Sequence, residues 1–205
     1  GLLFSAPMSS HPFSGVTFDD VIRFDKRTCN AVMDHGATPQ QKHLKDWEFK
    51  GFNPPTFAKV LGIQKFVKGF FVDPAGKLAG YNLFVDAPRG GPKAEWRPKK
   101  DGAPSARHGF YDVVPVGPNP RYADYPNAVL LDYGSGRNKT IDPEGRIRDF
   151  LVQVDPENPD LYLGKAYLDL FATRAFSNFF VLQRMRPAPK GGAPASRDRA
   201  VPGDG

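Results

Sequence analysis

Apolar residues fall at helical spacing in the first part of this chain and at strand spacing in the rest, with the change at Trp47. Before that point, TFDDVIRFDKRTCNAVMD predicts a helix from Thr17 or Asp19 to about Asp34, with Val21, Phe24, Cys29 and Val32 near one side. His35-Gly36 supplies a stop, and Thr38-Pro39 opens a short helix through Leu44. The first fifteen residues read as an irregular arm. After Trp47, WEFKGF alternates as a strand and Pro54-Pro55 ends it. Pro55-Thr56 then starts a short helical segment, with Phe57, Val60 and Leu61 on one face.

Further strands are predicted at 65–73, 78–86, 107–116, 127–133, 147–155, 161–170 and 177–185. DPAGK, GPNPRYADYP, GSGRNKTIDPEG and DPENPD separate them, and all are dense in turn formers. The expectation is an all-β chain: a single antiparallel barrel of about eight strands with short N-terminal helices. Its boundaries are an arm and helices over 1–45, a barrel domain over 46–186, and a flexible basic tail over 187–205. Several strands are apolar on both parities; Phe180 and Leu182 oppose Phe179 and Val181. Both sheet faces are then covered, one by the barrel interior and the other by the helices, the tail or a partner. Closure also removes the exposed sheet edges.

Composition supports a packed core, with 40% hydrophobic residues, 17 Phe and 7 Tyr. The net charge is +6, and most of it lies in residues 88–104 and 186–205. The first of these holds four prolines and three glycines, so it is expected outside the core as a mobile loop. A nucleic-acid binder would place its charge on an ordered face, so nucleic acid is not favoured as a partner. Cys29 is the single cysteine, which excludes an intrachain disulfide and a cysteine-based zinc cluster. It fits a reducing compartment, making cytoplasm the expected location, with an upstream targeting segment as the alternative. No run approaches 18 continuous apolar residues, so no transmembrane helix is expected.

Candidate chemistry is sparse. His11, His35, His43 and His108 contain no pair at helical metal spacing, HExxH is absent, and neither a metal nor a cofactor is expected. His108 alone enters a predicted strand, where an imidazole can serve as a base. Glu48 and Asp112 lie in aromatic strand contexts and are the other first candidates for acid–base work. GSGRN at 134–138 lacks the phosphate-loop pattern and reads as a wide turn, and DPENPD lacks calcium-loop spacing. Phe70, Tyr81, Phe110, Tyr111, Tyr133 and Tyr167 are candidate ligand contacts, because inward rings and hydroxyls suit an apolar molecule with one or two polar atoms.

Trp47 on the first strand and Arg184 on the last resemble the closing pair of the lipocalin and fatty-acid-binding superfamily, although Lys45 stands where a glycine is usual. The resemblance implies that Arg184 packs over the Trp47 indole and closes the barrel base. It also implies sequestration of a small, mostly apolar ligand in the interior. Two other functions fit the same barrel: an isomerase, cyclase or lyase acting on an apolar substrate, and a structural or interaction module that self-associates.

Overall fold

Eight strands pair antiparallel in sequence order, and the last returns to the first, closing a barrel. The computed structural model describes residues 11–57, 63–117, 120–135, 137–139, 141–170 and 172–190. The strands are β1 (Trp47–Phe52), β2 (Lys65–Val72), β3 (Leu78–Phe84), β4 (His108–Pro115), β5 (Val129–Asp132), β6 (Ile147–Gln153), β7 (Leu161–Leu170) and β8 (Thr173–Pro187). Together with short N-terminal helices this is the expected all-β architecture, and it is consistent with a calycin-like fold.

The single helix expected over 17–34 is instead two: α1 (Phe18–Val21) and α2 (Lys26–His35). Each start has its own side-chain cap. Thr17 and Asp20 form a reciprocal capping box. The Asp25 carboxylate accepts from the Thr28 N–H at 2.7 Å, so the chain restarts there rather than continuing. The next helix, α3 (Gln41–Leu44), begins after Gln40, not at Thr38. Pro54–Phe57 makes a turn, while Val60 and Leu61 lie outside the described residues. Among the described residues no helix is long and apolar enough to cross a membrane.

The two-sided apolar pattern has a direct cause. Inward residues Phe49, Phe70, Tyr111, Leu131, Leu151, Tyr162 and Leu182 fill one end of the barrel with Leu44. Outward residues Leu130, Phe150, Val152, Leu163, Phe179 and Val181 meet Val21, Cys29, Val32 and Met33 from the helices. Burial pushes the Cys29 thiol up to about 12, so it is an inert core group.

Four strand glycines stand directly across from rings: Gly51 from Phe66, Gly69 from Tyr81, Gly80 from Tyr111, and Gly164 from Phe180. Each ring lies over the neighbouring backbone in the space a Cβ would occupy. These pairs bring large rings close to the wall and fix strand register.

The 88–104 segment departs from its expectation, because it docks on the barrel. Trp96 packs edge-on against Phe18 and Phe52, and its indole N–H donates to the Gly51 carbonyl at 3.1 Å. The buried Lys65 ammonium donates to the carbonyls of Ala94 and Glu95 at 3.1 and 2.7 Å. One aromatic anchor and one buried donor thus outweigh a composition that favours looseness. At the far end of the chain, Ala188 N–H donates to Asp46 and Arg107 donates to the Pro189 carbonyl. Residues 191–205 lie outside the described residues.

Candidate functional site

The barrel has one plugged end and one open end. At the plugged end Phe49 meets Phe70 and Tyr162 edge-on, each at 5.5 Å between ring centroids. Below them the Arg184 guanidinium sits 4.4 Å from the Trp47 ring centroid. Its Nε lies 2.6 Å from Asp160, and it donates to the His43 carbonyl at 2.8 Å.

The open end holds a pocket of about 210 Å³. Its walls include Phe66, Phe84, Ile147, Ala166, Leu168 and Phe180. Phe84 and Leu168 are 45% and 42% exposed, which marks them as the apolar rim. The floor is polar, because the register Phe49–Lys68–Asn82 on one side and Leu131–Asp149–Ala166 on the other aims Lys68, Asn82 and Asp149 inward.

Lys68 is enclosed among the rings of Tyr111, Tyr133, Phe180 and Phe66, with its nitrogen 4.8 to 5.6 Å from their centroids. Its ammonium donates to Asn82 Oδ1 at 3.0 Å and to the Tyr133 hydroxyl, and lies 3.2 Å from Asp149 Oδ2. Asn82 Nδ2 donates to the Tyr133 hydroxyl at 3.1 Å, which in turn donates to Asp149 Oδ2 at 3.3 Å. All three ammonium protons are therefore committed. Burial pushes the Lys68 pKa down and the Asp149 pKa up, and the attraction between the two opposes both shifts. Burial also raises the Tyr133 hydroxyl well above its ordinary range, so it remains a neutral phenol.

A second polar pair stands on the same pocket. His108 is the cross-strand partner of Asn82, and its Nδ1 lies 2.9 Å from Glu144 Oε1. Its ring stacks on Phe84 with centroids 3.9 Å apart. Glu144 comes from a single turn of 3-10 helix, Pro143–Arg146, just before β6. Among the described residues, two buried atoms of the pocket-lining groups have no hydrogen-bond partner: Asp149 Oδ1 and His108 Nε2. Among the described residues no group of three or more His, Cys, Asp or Glu is placed to hold a metal.

The residues singled out from the sequence separate into distinct places. Tyr133 and His108 line the pocket, and Tyr167 contributes to its lining while its ring packs on Phe150 and its hydroxyl meets Tyr125. Phe70 and Tyr111 are in the inward cluster beneath the pocket. Tyr81 and Phe110 belong to an outer cluster with Val67 and Leu83, under the 3-10 segments that precede β4. Glu48 is fully buried on that outer side, accepting from Tyr81 at 2.8 Å and from Arg186 at 2.7 Å. Asp112 pairs with Arg137, which also bridges to Asp73. Of the three acid–base candidates, only His108 reaches the pocket.

Lys68, Asn82, Asp149 and Glu144 were missed by sequence reasoning. A signal was present for two of them. Lys68 shares strand parity with Phe66 and Phe70, so a charge sits where rings face the core. Asp149 likewise shares parity with Leu151. In comparisons with known proteins, no family model, no curated protein and no solved structure matches this chain, so no family is assigned to it.

Proposed function

We propose that the barrel binds a small, mostly apolar molecule at its open end, with one polar group of that molecule against the Lys68–Asp149–Tyr133–Asn82 floor. The supporting observation is the meeting of apolar walls with a buried polar cluster at their base. Size narrows the ligand. An apolar cavity of roughly 150 Å³ accommodates benzene, so a pocket of about 210 Å³ suits one substituted ring or a short branched chain. A long-chain lipid would have to extend past the Phe84–Leu168 rim.

Protein NMR titration with benzyl alcohol, cyclohexanone and palmitate tests this reading. Ring compounds should shift the amide resonances of Asn82, His108, Asp149 and Phe180 in a saturable 1:1 manner. The Ala166→Leu variant, which adds carbon atoms to the pocket wall, should abolish those shifts while leaving the rest of the spectrum intact. Tight palmitate binding with no response to either ring compound would overturn the size argument. No saturable response to any of the three would overturn the binding reading.

A further inference from the structure

Resting on that binding reading, we propose that the open end selects uncharged ligands, small alcohols and phenols in particular, and refuses carboxylates and amines of the same size. Among the described residues, four ionisable side chains other than tyrosine line the pocket, and they stand in two pairs. Lys68 lies 3.2 Å from Asp149 Oδ2, and His108 Nδ1 lies 2.9 Å from Glu144 Oε1. The first pair sums to zero whether the proton rests on the amine or on the carboxylate. The second sums to zero when His108 is protonated and is negative when it is not. In each of these states the pocket lacks net positive charge.

A carboxylate entering such a pocket needs a cation with an uncommitted proton to offset the loss of its water. Lys68 has none to give. Its three protons go to Asn82, Tyr133 and Asp149, and only 3% of its side chain is exposed. The incoming anion would also meet Glu144 on the pocket wall. An ammonium ligand faces the complementary obstacle. Asp149 is sealed against its own counter-ion, and Glu144 is already engaged by His108. The lining rings alone would then have to offset ammonium desolvation, which exceeds what ring faces supply.

The polarity left for a ligand is neutral. The Ser177 hydroxyl donates to Asn178 Oδ1 at 2.9 Å, and Asn178 Nδ2 donates to Asn53 Oδ1 at 2.9 Å. All three residues line the pocket, so this part of its wall is made of hydroxyl and amide groups. Ser177 is half-buried, and its oxygen keeps lone pairs that suit the hydroxyl proton of an alcohol or phenol. The hydrocarbon remainder fits the Phe66, Phe84 and Phe180 walls.

The test titrates the full chain with benzyl alcohol, benzoate and benzylammonium near neutral pH, where the acid and the amine are charged. The amide resonances of Asn82 and Phe180 report binding by NMR. Benzoate and benzylammonium should bind at least about 30-fold more weakly than the alcohol. Asp149→Asn leaves Lys68 without a counter-charge, and Glu144→Gln removes the other carboxylate. The ratio of benzoate to alcohol affinity should rise about 10-fold in the first and about 3-fold in the second. Asp149→Asn risks misfolding, and Glu144→Gln, at a half-exposed position, keeps the comparison decisive. Benzoate or benzylammonium binding within about 3-fold of the alcohol would overturn the charge selection and leave the binding reading standing. An unchanged ratio in both variants would also overturn it. No saturable response to benzyl alcohol or cyclohexanone would overturn the binding reading itself.

Discussion

The Lys68 ammonium lies 3.2 Å from Asp149 Oδ2 inside the barrel, with 3% and 4% of the two side chains exposed. Sealed charges of this kind cost desolvation and are tolerated because each satisfies the other. Asp149→Leu would leave Lys68 with Asn82 and Tyr133 but no counter-charge. We expect a loss of about 3–5 kcal/mol of stability by urea unfolding. A Lys68→Met/Asp149→Leu double variant should recover most of that loss, since it buries no charge. If the double variant is less stable than Asp149→Leu alone, the two charges are not energetically linked as described.

The same pair sets a pH dependence. Asp149 holds its proton more tightly folded than unfolded, because burial disfavours the carboxylate. From about pH 4, the ordinary unfolded value, up to the higher folded value, the native chain binds more protons and stability falls as pH rises. Lys68 is shifted the opposite way. Between its lowered folded value and about 10.4, the unfolded chain binds more protons, so stability rises with pH in that range. Compared with the double variant, the natural chain should lose stability upward from pH 4 and regain it in the alkaline range. A pH-independent difference from 4 to 6 would contradict the burial assigned to Asp149.

Gly164 stands across from Phe180, and a Cβ at that position would fall 2.0 Å from Phe180 Cζ. Gly164→Ala therefore pushes the ring toward the pocket it lines. Overpacking of this sort costs about 1–3 kcal/mol, and binding of cyclohexanone should weaken in parallel. Chemical denaturation and NMR titration on one sample measure both effects. Unchanged stability with unchanged affinity would show that the wall accommodates the methyl without moving Phe180.

Trp47 and Arg184 close the opposite end with a ring-to-cation distance of 4.4 Å. Trp47 is only partly buried, so Trp47→Ala should cost about 2 kcal/mol, less than the 3–5 expected of a fully buried ring. Arg184→Lys keeps the charge but loses the flat stack and the forked contacts to Asp160 and His43, a loss of about 1 kcal/mol. If the two effects add independently in a double variant, Arg184 contributes nothing through Trp47.

Strand count, barrel class and most strand spans were legible in the sequence because neighbouring residues carry those signals: alternation, turn formers and proline; β8 runs longer than expected, over Thr173–Pro187 rather than 177–185. The break between α1 and α2 was less legible, because Asp25 acts as a cap only once its carboxylate reaches the Thr28 N–H. The docked position of Trp96 was not legible for a related reason. Its own segment predicts looseness, but its contacts are with Phe18, Phe52 and Gly51, elsewhere in the chain.

For the site, the sequence by itself determined that rings and a few charges would alternate along paired strands, and it placed His108 and Tyr133 among the candidates. Which of these side chains meet was decided only by tertiary structure. Closure and register turn Tyr81 and Glu48 to the outer face while bringing Lys68 from β2, Asn82 from β3, Tyr133 from just past the end of β5 and Asp149 from β6 onto one floor. A single-residue change of register would reverse each strand's faces. The pocket chemistry is therefore a property of strand pairing, held by long-range hydrogen bonds and by rings seated on glycines, and no local stretch of sequence contains it.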